Sequence, residues 1–330
     1  MSKLHLTFAC GEYDRTLALK DGSIQPEGID INYITMGPEE IFWRMLRYEE
    51  FEASEMSFSS YLLERARGKT RLVALPVFVS RVFRHGYIFI NTESGILRPE
   101  DLVGKRVGVP EYQMTAALWQ RGFLQHDYGV SPDKVLWLTG GLEQPGRKEK
   151  LELHLPPGIR VETIPEDKSL SSMLASGEID ALCGARPPSS FLKGSSKLRR
   201  LFPDYEAVEL EYYRRTRLFP IMHTVVIREE VLEKHRWVAD SLYKALCQAK
   251  DQCLEAMRNP GTLKYAIPWL IPEIERVRQV FGDDWWPYGV EANRPSLEAA
   301  VQYSYEQGLS ETKLEVESLF PQSTLEGFKT

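Results

Sequence analysis

Arginine, histidine and small hydroxyl side chains recur where the strand patterns of this sequence give way to turns. Arg15 follows the first apolar strand pattern, Arg81 and Arg84 follow one ending near Val79, and Arg186 follows one ending at Cys183. A guanidinium grips a carboxylate through two parallel hydrogen bonds, so four arginines at strand ends point to a ligand with two acid groups. Weak surface ion pairs are the competing reading for any one of them. Ser57, Ser59 and Ser60 stand where a strand pattern passes into a helix pattern, and Thr115 stands at the matching place further on. Their hydroxyls and first-turn N–H groups suit an anion, and one or more of them is expected to cap its helix. His85 and His223 are the two of six histidines beside such strand ends. With an unperturbed pKa of about 6.5, histidine is the natural proton donor or acceptor at neutral pH.

Other chemistries lack their motifs. The sequence contains no GxSxG elbow, no P-loop and no GxGxxG fingerprint. Cys10, Cys183, Cys247 and Cys253 form no CxxC pair, so neither a disulfide framework nor a zinc site is expected. A mixed site of His85, His223, Glu12 and Glu111 gains no support from spacing, and a divalent metal is left undetermined. Asp284-Trp285-Trp286-Pro287-Tyr288-Gly289 is unusually aromatic. It would either wall an aromatic-ligand pocket or anchor the C-terminal helices as a buried cluster.

The elements that must position these residues alternate between strand and helix. Strand patterns cover 4–9, 29–36, 53–57, 72–79 and 87–91, with helix patterns at 14–19, 38–48 and 59–67 between them. A second unit follows the turn cluster at 99–105. Its strands are expected at 106–109, 135–138, 160–164 and 179–183, its helices at 115–128 and 169–176, and a Gly- and Pro-rich loop at 140–157. From residue 223 a strand leads into 230–257, one long helix or a broken pair, and then into further helices. This is an α/β chain with largely parallel sheets, about two domains at roughly 150 residues each. In such sheets ligands sit beyond the carboxyl ends of the strands, where the candidate residues lie.

Composition narrows the partners. The chain has 330 residues, 43% hydrophobic and 27% charged, with 41 basic and 47 acidic residues giving a net charge of −6. That is ordinary globular composition, without the broad basic footprint of a nucleic-acid binder. There is no apolar run of about 18 residues to span a membrane and no signal-peptide pattern, so a cytoplasmic location is expected. Homo-oligomerisation is left open.

Six segments then carry a resemblance: 10–15 (CGEYDR), 53–61 (ASEMSFSSY), 76–85 (PVFVSRVFRH), 108–117 (GVPEYQMTAA), 219–227 (FPIMHTVVI) and 286–294 (WPYGVEANR). They resemble the 4,5-dihydroxyphthalate decarboxylases, in one register from Leu4 to Phe328. The resemblance implies a two-lobed type II periplasmic-binding-protein-like fold with a discontinuous first lobe and a helical C-terminal tail. Residues 1–95 and 220–330 would form the first lobe and 96–219 the inserted second lobe, hinged near 92–98 and 217–222 and closing on the ligand. It implies decarboxylation of 4,5-dihydroxyphthalate to protocatechuate and CO2 in bacterial phthalate degradation, with no organic cofactor and a small aromatic dicarboxylate as partner. Arg15, Arg81, Arg84 and Arg186 would clamp the substrate with Ser57, Ser59 and Thr115. His85 or His223 would transfer the proton, and Glu12, Glu111 or Tyr112 would contact the phenol. The alternatives are a solute-binding protein for an aromatic carboxylate, or a decarboxylase of a related hydroxylated aromatic acid.

Overall fold

A computed structural model describes residues 3–326. Met1, Ser2 and 327–330, where the expected first lobe begins and ends and where Phe328 falls, lie outside the described residues. Among the described residues eleven strands form two sheets: β1 Leu4–Cys10, β2 Ile29–Thr35, β3 Ala53–Ser57, β4 Leu72–Arg81, β5 Ile88–Asn91, β6 Arg106–Val109, β7 Leu136–Thr139, β8 Arg160–Thr163, β9 Ala181–Cys183, β10 Leu198–Arg200 and β11 Ile221–Arg228. The first sheet runs β2-β1-β3-β11-β4 and the second β10-β5-β9-β6-β7-β8.

Both sheets are mixed rather than largely parallel. β2, β1 and β3 are parallel, but β11 pairs antiparallel with β3 and β4. In the second sheet β8, β7, β6 and β9 are parallel, while β5 runs antiparallel to β9 and β10. β11 and β5 are the strands by which the chain changes sheets, and each enters beside strands of opposite direction.

The first crossing corrects the expected boundary at residue 95. β5 was expected in the first lobe but belongs to the second sheet, so the chain crosses at 82–87. A short, mostly apolar run, IFIN, fits the interior of either sheet, and sequence periodicity cannot choose between them. The chain returns at 217–220, through Arg217 in the left-handed region (φ 59°), and β11 begins at Ile221.

Local signals set the helix ends. Pro38 opens the Pro38–Tyr48 helix, with Glu39 and Glu40 against its positive end. Gly129, at φ 68°, closes Thr115–Tyr128. The 230–257 pattern resolves into two helices, Glu229–Lys234 and Trp237–Met257. Among the described residues no helix is long and apolar enough to cross a membrane.

The C-terminal helices tie the lobes together. Trp237–Met257 lies on the first sheet, whereas Arg294–Glu306 packs on Phe58–Ala66 of the first lobe and on Thr115–Tyr128 of the second. Gln307, just beyond, accepts from Arg121 Nε through its side chain (2.8 Å) and donates to the Leu118 carbonyl (2.8 Å). One hydrophobic core therefore runs through both lobes, from Met56 and Phe78 to Trp119 and Trp137. At Gly122 the helices touch so closely that an added Cβ would lie 2.1 Å from the Tyr303 ring. Gly122→Ala should therefore destabilise the protein by about 1–3 kcal/mol, lowering the urea midpoint. Combined with Tyr303→Ala, the loss should be smaller than the sum of the two single losses, because truncating the ring removes the atoms the new methyl meets.

Candidate active site

Between the lobes lies a cavity of about 200 Å³. The first lobe supplies Ser57 and Ser60, where β3 runs directly into the Phe58–Ala66 helix, and Met222 and His223 from the start of β11. The second lobe supplies Glu111 beyond β6, Thr115 at the head of its helix, Lys150 from the 140–157 loop and Arg186 beyond β9. Arg84 enters from the first crossing. A wider hollow of about 580 Å³, sharing Glu39, Met114, Ala185 and Arg186, leads outward beneath residues 141–147.

Glu55 anchors one wall. It lies within β3, fully buried, and accepts hydrogen bonds from Gly11 N (2.8 Å) and Tyr13 Oη (2.5 Å). His223 Nδ1 is 2.5 Å from the same carboxylate. Burial alone would push this carboxyl up, but the His223 charge and the hydrogen bonds from His223, Tyr13 and Gly11 more than offset it and hold the group below its ordinary value. Glu55 is thus anionic and orients the imidazole, leaving Nε2 as the nitrogen a ligand in the cavity can reach. The Phe42 ring meets the imidazole edge-on at 4.9 Å.

The opposite wall is cationic. Arg84 is almost fully buried; its guanidinium lies over the Tyr87 ring (5.1 Å), and its hydrogen bonds go to the Met222 sulfur (3.2 Å) and the Ala185 carbonyl (3.1 Å). Among the described residues no carboxylate pairs with it, and burial pushes its pKa down to about 10. Glu111, also buried, is already satisfied by Lys150 Nζ (2.6 Å), Arg147 Nε (2.8 Å) and Gln113 Nε2 (3.2 Å). The hydroxyls bridge the lobes: Ser57 Oγ lies 3.0 Å from Thr115 Oγ1, and Ser60 Oγ donates to Gln113 Oε1 at 2.9 Å. Below them Glu149 accepts from the backbone N–H of Tyr112, and burial pushes its carboxyl up to about 7.

Six expected site residues therefore meet at one cavity: Ser57, Arg84, Glu111, Thr115, Arg186 and His223. The others do not. Ser59 is buried beneath it, donating to the Gln113 carbonyl at 2.5 Å. Arg15 pairs with Asp14 (2.8 Å) and lies over the Trp286 ring, while Arg81 is bound to the Phe219 and Pro287 carbonyls. Glu12 is exposed and paired with Lys20. Tyr112 is buried, its hydroxyl on the Gln307 carbonyl and its ring against the Arg121 guanidinium. His85 is stacked on Phe123 at 3.9 Å, and burial pushes its pKa down to about 3, so it is neutral and sealed away from the cavity. Its place beside Arg84 in sequence misleads because the 82–87 crossing turns the two side chains in different directions. Glu55, Tyr13 and Lys150 were not singled out. The available signal for Glu55 was a carboxylate inside a strand, ASEMS, whose every residue is buried. Among the described residues no three His, Cys, Asp or Glu side chains cluster as a metal site would.

No family model matches the chain. It is 40% identical over 329 residues to a 4,5-dihydroxyphthalate decarboxylase of Comamonas testosteroni, covering the whole of both chains. It is 45% identical over 214 residues to one of Pseudomonas putida, covering 65% of this chain and 83% of that one. Among solved structures it is similar to the periplasmic aliphatic sulphonate binding protein SsuA of Escherichia coli (TM-score 0.51, 13% identity, covering 98% and 99% of the two chains). The desulfurization enzyme DSZB is similar at TM-score 0.50 and 16% identity, with 98% of each chain covered. These likenesses give the two-lobed type II periplasmic-binding-protein-like fold.

His85 supplies a test that separates the two histidines. Its folded pKa lies below the unfolded value of about 6.5, so it subtracts nothing above that pH and progressively destabilises the fold as pH falls towards 3. His85→Phe should flatten that acid loss in urea titrations and leave turnover unchanged.

Sequence identity along the whole length, together with the lobes that frame this cavity, makes the chain a member of the 4,5-dihydroxyphthalate decarboxylase family.

Proposed function

We propose that the protein removes one carboxyl group from 4,5-dihydroxyphthalate, giving protocatechuate and CO2, in the cavity bounded by Arg84 and His223. The observation that carries this reading is Arg84: a buried guanidinium with no carboxylate partner among the described residues, facing the same small cavity as an imidazole held by a buried glutamate. An uncompensated buried cation is costly, and a bound anion removes that cost.

Each carboxylate of this substrate is para to a phenol. Electron density from that oxygen raises the basicity of the ring carbon bearing the carboxylate. His223 Nε2 delivers a proton to that carbon, and Glu55 stabilises the imidazolium that precedes the transfer. The C–C bond then breaks, its electron pair returns to the ring, and CO2 leaves as aromaticity is restored. The proton gained by carbon balances the charge lost with the carboxylate. Arg84 and Arg186 hold the acid groups, Lys150 adds positive charge, and the Ser57, Ser60 and Thr115 hydroxyls complete the cradle. The step calls on no organic cofactor. A receptor for the same anion would need the cations but not the Glu55–His223 pair.

Two sets of variants test this. Arg84→Met should lower kcat/KM for 4,5-dihydroxyphthalate by roughly tenfold to a hundredfold, the worth of a charge-assisted pair of about 1.5–3 kcal/mol. An unchanged kcat/KM in a folded variant would remove Arg84 from the clamp. His223→Asn should lower kcat by about 100-fold or more, and Glu55→Gln should lower it while shifting the pH profile, since the neutral amide no longer stabilises the imidazolium. A His223→Asn enzyme with normal kcat and the same pH profile would exclude His223 as the acid.

A further inference from the structure

A second hollow, of about 480 Å³, opens on the other side of the two chain crossings. Its walls are aromatic. Phe83 and Phe219 stack at 5.0 Å, Phe281 stands 5.3 Å from Phe219, and Trp286 meets Phe219 edge-on at 5.5 Å. Trp285 lines it with Trp286, and Ile274 and Val277 close it from the Leu270–Phe281 helix.

One of its charges has no ion-pair partner among the described residues. Arg15 is paired with Asp14 at 2.8 Å. Glu209 accepts from the Gly86 N–H (3.1 Å) and makes no ion pair with Arg81. Asp284, further off, is taken by Lys250 at 2.8 Å. Arg81 is left. It is almost fully buried and lies over the Phe219 ring (4.5 Å); among the described residues its terminal nitrogens hydrogen-bond only to the Phe219 and Pro287 carbonyls, and its Nε has no partner. One uncompensated cation inside aromatic walls fits a flat, apolar ligand with a single negative charge.

We propose that this hollow is a second ligand site, built for an aromatic monocarboxylate and set against the hinge. Arg81, Val82 and Phe83 belong to the β4 end and first crossing, and Phe219 belongs to the return crossing; Arg84, on the first crossing, and Met222, in the strand that the return crossing feeds, line the catalytic cavity. The Arg81–Phe219 hydrogen bond (2.8 Å) already joins the crossings. A carboxylate on Arg81 therefore acts on the segments that carry Arg84. The site stands whether or not the cleft decarboxylates, but under the reaction proposed above its ligand class includes the product.

Benzoate, titrated into the full-length protein by calorimetry with tryptophan fluorescence as a parallel readout, tests the site. Saturable binding of one benzoate is expected to persist in Arg84→Met, to weaken about tenfold or more in Arg81→Met, and to vanish in Val277→Trp, whose indole fills the hollow. Val277→Trp should keep the basal kcat and KM. Benzyl alcohol, of the same shape without the charge, should bind at least about tenfold more weakly. The proposal is overturned if benzoate fails to saturate at millimolar concentration, if Val277→Trp binds it as the parent does, or if binding is lost in Arg84→Met and competes with substrate. Equal binding of benzyl alcohol would overturn the carboxylate assignment. Arg81→Met supports the cation but is not required, so a variant that fails to fold leaves Val277→Trp to decide.

Discussion

A carboxylate with no access to water has to be satisfied by its neighbours, and Glu55 governs the arrangement of the first lobe for that reason. It draws on two separate pieces of chain: the connection after β1, through the Gly11 N–H and the Tyr13 hydroxyl, and β11, through His223. Gly11 is tightly confined by this, since a Cβ there would lie 3.1 Å from Glu55 Oε2 and 3.0 Å from the Tyr13 ring. The antiparallel pairing of β11 with β3 brings the histidine onto the carboxylate, with Val225 opposite Glu55 and His223 opposite Ser57. The same interaction that lets a charge sit in the core therefore fixes the ring nitrogen available to a ligand.

The second constraint is how the lobes are joined. A clamp hinged on two strands alone would swing freely, but here Arg294–Glu306 lies against helices of both lobes and the core is continuous through them. Ser57 with Thr115 and Arg84 with Ala185 close the gap by hydrogen bonds at 3.0 Å and 3.1 Å. Opening must therefore break polar contacts near the cavity while it slides or bends the helical packing at Gly122 and Tyr303. The 140–157 loop is tied to the cavity through Glu111 and Glu149 and to the core through Leu151, Leu153 and Leu155, so it too moves only at a cost in packing.

Much of this was legible in the sequence because the signals were local. Pro38, Gly129 and the alternation of β1 mark their elements without reference to anything distant. Strand-end placement also gathered Ser57, Arg84, Glu111, Thr115, Arg186 and His223 from segments up to 166 residues apart. What failed was direction. Arg81, Arg84 and His85 share one short run, yet one lines the hinge hollow, one the catalytic cavity, and one stacks on Phe123 in the core. The side on which a residue emerges from an irregular crossing depends on backbone angles set by tertiary packing. The same limit placed β5 in the wrong lobe. Glu55 escaped notice because a lone acidic residue has no meaning until its partners, 42 to 168 residues away, are known.

The charge pattern of the cavity carries a further consequence for the proposed reaction. Among the described residues, Arg84 and Arg186 form no ion pair, whereas Lys150 and Arg147 share Glu111, and Arg147 also meets Glu39 at 3.0 Å. Two free guanidiniums match two carboxylates, but their settings differ: Arg84 is buried and Arg186 exposed. A carboxylate that leaves as CO2 must surrender its charge in the transition state, so gripping it with a dry cation would stabilise the ground state and slow the reaction. The retained carboxylate gains no such penalty from the same contact. Arg84 therefore belongs on the acid group that stays, and the departing one belongs towards the wetter Arg186 side. There the weaker, screened attraction is given up more easily as the ring carbon takes its proton from His223.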